Sequence, residues 1–459
     1  MTTSMRRAVA ASAALAAALA GALAGGTPAE AHHGSDGTTG KPMPTNFGFK
    51  GDVFGVKLLL ENVEQRSVKD AYAQQRCTRY AGREVVKSST AAVPDNPLIN
   101  VSATTSRTRT YRDADTGTYG VRGSSAISDV EIGGDVGGQQ TPTISIKGFT
   151  TSSDAFHSAK GFGHREALDF ASFQIAHLSD SVPVPPELQD LLDAIDSTTG
   201  DVVGQVIDVL QSANTPIEIP GLGSISLGTN KGSTGSHFAI SESYALKINV
   251  DANGQNQTLQ LGRARTRIGS PTPGGVFRSI AMGMDAYALN NTLHLGNIQQ
   301  RSIPCEGTGG KVKHQHVDSA SLALGVIVNL TGIDYRFKGD QNADGTASGF
   351  TSSHIDKVEI PAVNLELDDV NGKVAVDHRH RTGAVGRTIT FSVGKILVNG
   401  EEQPVPAPGK SLTFQGGVIE TRIVKSNFYG SEVHAVRVTL TDFDSVLDFG
   451  WAAAHVFPR

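Results

Sequence analysis

Ser124-Ser-Ala-Ile-Ser-Asp-Val-Glu-Ile132 and Ser352-Ser-His-Ile-Asp-Lys-Val-Glu-Ile360 lie 228 residues apart and match without a gap. Both carry the apolar–polar alternation of a strand with one buried face. Cys77 and Cys305, the only two cysteines, stand at the same offset, and so do Gly117-Thr118 and Gly345-Thr346. Three coincidences at one offset point to one β-rich domain that occurs twice.

Further matches lie toward the copy ends. Ala245-Leu-Lys-Ile-Asn-Val250 resembles Ala435-Val-Arg-Val-Thr-Leu440 at offset 190, and Leu259-Gln-Leu-Gly-Arg-Ala264 resembles Leu447-Asp-Phe-Gly-Trp-Ala452 at offset 188. The falling offset gives the first copy about 40 extra residues between these blocks. Pro186 to Ile195 places Leu188, Leu191, Leu192 and Ile195 on one helical face, with Pro186 suited to a first turn. Asp201 to Leu210 repeats the pattern with Val202, Val203, Val206, Ile207 and Leu210. These runs predict a helical hairpin inserted at about residues 185–214. It is read as a brace on its own domain, with a lid or partner-binding element as the alternative. Asp52-Val-Phe-Gly-Val56 is matched with Asp285-Ala-Tyr-Ala-Leu289 at the copy starts. Copy one then spans 45–270 and copy two 271–459. Ile268-Gly-Ser-Pro-Thr-Pro-Gly-Gly275 reads as the linker, and the polar residues 32–44 as a disordered segment.

Short Val/Ile/Thr-rich runs between Gly, Asn, Asp and Ser turns fill most of the chain, which has 52 glycines and one tryptophan. The expected fold is mainly β: two tandem antiparallel sandwich- or barrel-like domains of roughly eight to twelve strands each, the first with the helical insertion.

The N-terminus reads as a secretory signal. Arg6 and Arg7 precede an uncharged Ala/Leu/Gly run over 8–26, followed by Ala29-Glu-Ala31, a small-x-small cleavage site. Sec and twin-arginine export are both open. Loss of residues 1–31 leaves 38 basic and 44 acidic residues, a net charge of −6. No basic footprint for nucleic acid is present, and no later apolar run is long enough for a transmembrane anchor. The expected location is secreted or extracellular, with cell-wall association open and the partner unknown. In an oxidising compartment the even cysteine count favours a Cys77–Cys305 disulfide, with two buried free thiols as the alternative.

Cys305-Glu-Gly-Thr-Gly-Gly310, the Ser-Ser-x-Ile-x-x-Val-x-Ile strand, Asn399-Gly400 and Ala435-Val-Arg-Val-Thr-Leu440 together resemble the choice-of-anchor P type of exported protein from high-GC Gram-positive bacteria. The resemblance covers most of copy two and, more weakly, copy one. It implies surface-associated domains with varied C-terminal anchors and no established activity, so it transfers no catalytic residues.

Two cation sites are candidates. Asp340, Asn342, Asp344 and Thr346 offer oxygens at alternate positions around Gly345, as a calcium loop requires, although Thr351 stands where an EF-hand has its closing Glu. The same residues suit an ordinary hairpin turn. His314-Gln-His316 and His378-Arg-His380 each place two imidazoles on one strand face. On neighbouring strands the four would surround a transition metal. Copy one has Val86 and Ser88 in place of the first pair, and Arg379 and Arg381 flank the second. Exposed strand histidines are the plain alternative. No hydrolase elbow, zincin motif or phosphate loop is present. The leading expectation is a non-enzymatic structural or binding protein needing no cofactor. A metal-dependent enzyme or metal-binding protein and a calcium-stabilised adhesion module are the rivals.

Overall fold

The computed structural model describes residues 37–60, 63–65, 71–89, 98–136, 139–178, 183–196, 202–213, 215–228, 230–252, 255–288, 293–298, 300–323, 327–379 and 383–457. The proposed signal peptide lies outside them. The principal strands of the first half are β1 (Gly37–Leu60), β2 (Ala73–Ser89), β3 (Thr104–Asp113), β4 (Thr118–Ile132), β5 (Thr143–Ser158), β6 (Gly161–Asp169), β7 (Phe238–Ala252) and β8 (Gln255–Gly269). Those of the second half are β9 (Val276–Ala288), β10 (Lys313–Ala323), β11 (Ile327–Gln341), β12 (Ala347–Ile360), β13 (Leu365–His378), β14 (Val385–Ser392), β15 (Gly417–Asn427), β16 (Gly430–Leu440) and β17 (Ser445–Phe457). The fold is mainly β and antiparallel. The first unit is one 14-stranded sheet folded over on itself, and the second has a 6-stranded and a 7-stranded sheet packed face to face. Breaks in long strands take both beyond the expected eight to twelve.

The ladders of the two units share their registers. In the first, Leu58, Leu259, Ile248, Ile225 and Ile217 stand side by side. In the second, the corresponding rung is Ala286, Leu447, Val438, Ile419 and Leu412. On the other layer, Val85, Thr108, Gly123, Ser153 and Glu166 form one rung. Its counterpart is Lys313, Phe337, Thr351, Val374 and Ile389. Even the link between layers recurs: Val53 pairs with Ala73, and Ala281 bridges Arg301. Strand β9 therefore follows β1 at offset 228, which sets Ile280 rather than Asp285 against Asp52 and corrects the match drawn from the copy starts. That match rested on two acidic residues in similar apolar company, whereas backbone pairing fixes the register.

Small polar residues fill one end of the first unit. Thr104, Ser106, Thr108 and Thr110 of β3 point inward while Arg107 and Arg109 point out. Across the gap, Thr151 and Ser243 hydroxyls meet at 2.8 Å and Ser153 and Thr266 at 3.2 Å. The other end is apolar. Ile144, Ile146, Phe170, Phe173, Ile217 and Ile219 are buried there under two helices, α1 (Pro186–Ile195) and α2 (Val202–Ser212). Leu188, Leu191, Val206 and Leu210 face this core, so the insertion plugs the open end of its own sandwich.

Two sequence readings change. Residues 37–44 belong to β1 and pair with β2, for example Met43 with Ala81, because backbone pairing needs no apolar side chains. The 268–275 linker is pinned rather than loose. Thr272 N–H donates to Asn46 Oδ1 (3.2 Å), Gln341 Oε1 accepts from Gly274 N–H (3.0 Å), and Gln341 Nε2 donates to the Gly275 carbonyl (2.6 Å).

At Gly55 an added Cβ would stand 2.0 Å from Thr104 Cγ2. Gly55→Ala is therefore expected to cost about 1–3 kcal/mol in urea unfolding. Adding Thr104→Ser, which removes the obstructing methyl, restores most of it.

Candidate functional site

The seam between the units is held covalently. Cys77 Sγ and Cys305 Sγ are bonded at 2.02 Å with Cα atoms 5.4 Å apart. Cys77 comes from β2 and Cys305 from the turn before β10. Around the bond, Arg278 Nε donates to the Cys77 carbonyl (2.7 Å) and its guanidinium lies 4.2 Å from the Phe457 ring centre. Arg267 pairs with Glu306, and Lys50 Nζ reaches Ser302 Oγ at 3.3 Å. A side chain at Gly48 would place its Cβ 2.5 Å from Cys305 Cβ, so only glycine lets β1 pass this close.

The histidines do not converge. His314 and His316 lie on the outer face of β10, half exposed, and both contact Asp334 of β11. His316 Nδ1 stands 3.3 Å from Asp334 Oδ1, and His316 Nε2 stands 3.2 Å from Asp318. His354 of β12 is Asp334's other cross-strand neighbour and pairs with Asp369 at 2.8 Å. Burial pushes the Asp334 carboxyl up, but the His314 and His316 rings outweigh it and hold it below the usual range. His378 is buried on β13, three strands from β10, which is about 14 Å from strand spacing alone. It is also five residues along the ladder from the rung of His314. His380 lies outside the described residues. The four-imidazole site is thus corrected to an exposed row of His–Asp pairs beside an unrelated buried histidine. Such exposed pairs contribute little stability.

The candidate calcium loop forms the hairpin turn between β11 and β12. Asp344 Oδ1 accepts from Thr346 N–H (2.9 Å) and Thr346 Oγ1 (2.7 Å), while Asn342 Nδ2 donates to Thr346 Oγ1 (2.9 Å). The turn's own donors engage Asp344 Oδ1 and Thr346 Oγ1, as in an ordinary hairpin turn. Among the described residues no group of three or more His, Cys, Asp or Glu side chains is arranged to hold a metal ion.

Sequence reasoning missed a deeply buried charged group. Asp448 of β17 is 1% exposed and takes both Arg437 Nε (2.7 Å) and Nη2 (2.9 Å). His434 Nδ1 stands 2.9 Å from the same carboxylate, with Nε2 3.8 Å from Glu432. The imidazole is stacked on Trp451 with ring centres 4.6 Å apart. Beside them Tyr287 donates to Asp285 at 2.6 Å. Burial works against a charged His434, but Asp448 and Glu432 overcome it and raise its pKa. Asp448 is likewise pushed up by burial and held down more strongly by His434 and Arg437. In the first unit the ladder sets Arg263 opposite Tyr244 where the second has Trp451 opposite His434. There Arg263 pairs with Glu242 at 2.8 Å. The only available signal was that the sole Trp falls at a ladder position held by an Arg in the other unit.

This network sets an imidazole between two carboxylates. Its chemistry is that of a folded-state electrostatic brace. No family model and no curated protein matches the chain. Among solved structures, the attachment invasion locus protein Ail of Yersinia pestis aligns with 49% of this chain and 99% of its own, at 8% identity and a TM-score of 0.11, a likeness that carries no argument. No described helix is long and apolar enough to cross a membrane.

Because His434 is raised on folding, its contribution is complete below its unfolded pKa of about 6.5 and fades as pH rises through the folded value. The melting-temperature gap between wild type and His434→Gln should therefore shrink between about pH 5 and pH 9. A gap that widens would contradict the pairing. Removing the disulfide by Cys77→Ser with Cys305→Ser is expected to cost about 2–4 kcal/mol, read from denaturant unfolding.

Proposed function

We propose that the protein is an exported, non-enzymatic structural or binding protein of the cell exterior or envelope. In this reading it is built from two copies of one β-domain and resembles the choice-of-anchor P type. The observation that carries the reading is the disulfide across the seam. Its two cysteines occupy equivalent places and join the units covalently, a device suited to an oxidising compartment. The repeated ladder registers support a duplicated domain. The pinned linker and the Arg278, Arg267 and Lys50 contacts support a rigid pair of units rather than two domains on a tether. A rigid two-unit body presents surfaces in fixed relation, which suits a scaffold or adhesive role.

Fractionation of a native-type host tests the reading. The mature protein should appear in the medium or wall fraction with His32 at its N-terminus and no free thiol under denaturing conditions. Recovery in the cytoplasm with an intact N-terminus, or two reactive thiols, would sink it.

A further inference from the structure

The ladder shows where the first unit's helical hairpin would sit on the second. In the first unit Ala171 N–H donates to the Lys147 carbonyl beside Gly148, which has φ 63°. In the second, Gly394 N–H donates to the Asp368 carbonyl beside Asp369, which has φ 53°. From this anchor Ile175 corresponds to Val398 at offset 223, and across the gap Ile217 corresponds to Leu412 at offset 195. The first unit spends 28 more residues between these strands, and they include α1 and α2. The second crosses with Asn399 to Lys410, beginning in an Asn399-Gly400 turn with both residues at positive φ.

The consequence is an uncovered slot. Ile217 and Ile219 are each 1% exposed under the hairpin, while their counterparts Leu412 and Phe414 are only half-buried. With Val398, Asn399, Glu401, Gln403, Thr413 and Gln415 they line an open groove of about 340 Å³, in which the apolar side chains sit among polar ones. Leu412, Phe414 and Phe391 continue directly into the second unit's core.

We propose that this groove is a docking site for an amphipathic helix of another protein, with an apolar stripe and basic flanks. This rests on the binding-protein reading above. The stripe follows from the first unit, where Leu188, Leu191, Val206 and Leu210 cover the same strands. The basic flanks follow from charge. The groove lining contains Glu401 and no basic side chain, and the adjoining Glu402 is exposed. Neither carboxylate has an ion-pair partner among the described residues. A second copy of this chain does not fit. Its hairpin is already buried on its own unit, and residues 183–213 carry Glu187, Asp190, Asp193, Asp196, Asp201 and Asp208 with no Lys or Arg.

The test titrates the secreted chain into a labelled synthetic helix of about five turns, with leucine at i, i+3, i+4 and i+7 and lysine on the remaining face, at about 0.15 M salt. Saturable binding by fluorescence anisotropy is expected. Leu412→Ser with Phe414→Ser should weaken it about tenfold or more with an unchanged far-ultraviolet spectrum. Glu401→Lys with Glu402→Lys, at exposed positions that folding tolerates, should weaken the lysine peptide and strengthen its glutamate counterpart. The charge reversal keeps the test decisive if the apolar double variant misfolds. No saturable binding, or binding indifferent to either pair of substitutions, overturns the proposal. A negative result leaves the export and thiol measurements standing, so failure of the groove is distinguishable from failure of the scaffold reading.

Discussion

Close approach of backbone layers through glycine, serine and threonine is the constraint on which the rest of this structure depends. Gly372 lies so near the Gly450 carbonyl that an added Cβ would stand 2.0 Å from that oxygen, and Gly55 stands equally close to Thr104. Layers this close exclude the large side chains that fill most sandwiches, so hydroxyls carry part of the interior. A buried hydroxyl left unpaired is costly. Contacts such as Thr151 to Ser243, and Thr351 Oγ1 to the Ala453 carbonyl at 3.0 Å, meet that cost by bonding one layer to the other. The abundance of glycine in the sequence thus has two sources: turns, and these close passages inside strands.

The same constraint explains why the two halves keep one ladder while their surfaces differ. In both, the strand pairing skips a glycine pair, Gly55 with Gly262 and Gly283 with Gly450, and the second member has positive φ. The register is the same on either side of that point in both halves, so the glycine pair interrupts the ladder without shifting it. Neighbouring positions carry no such demand. Arg263 can stand where Trp451 does, and the local charge balance is rebuilt from Glu432, His434, Arg437 and Asp448.

Legibility in the sequence followed the range of each interaction. The Ser124–Ile132 and Ser352–Ile360 strands could be read because alternation is local, and the helices at 186 and 202 because their apolar stripes are local. The cysteine pair was readable because a chain with only two thiols, at matching positions, leaves few pairings. Registers were legible only where several residues matched at once; the acidic pair Asp52 and Asp285 misled by five positions. Site chemistry was least legible. The His-x-His spacing correctly placed two rings on one face, yet nothing local told how many strands separate His316 from His378. The Asp448 network joins residues from adjacent strands whose pairing had first to be known.

The helical hairpin then takes on a meaning that neither unit shows alone. In the first unit the strands at 172–176 and 217–219 end a sheet that would otherwise expose edge backbone and apolar side chains to water, and α1 and α2 remove that exposure. The second unit keeps the strands and lacks the cover. It protects its edges only with a short Glu401–Gln403 strand and a proline-rich crossing, devices that discourage strand addition. They do nothing for Leu412 and Phe414. Apolar side chains of that size left partly in water give up part of the roughly 1.5–3 kcal/mol each would contribute when fully buried. The disulfide and the pinned linker hold this uncovered end in a fixed relation to the braced one. A helix entering the groove would therefore meet a site already formed, with little ordering of the chain left to offset the apolar surface it buries.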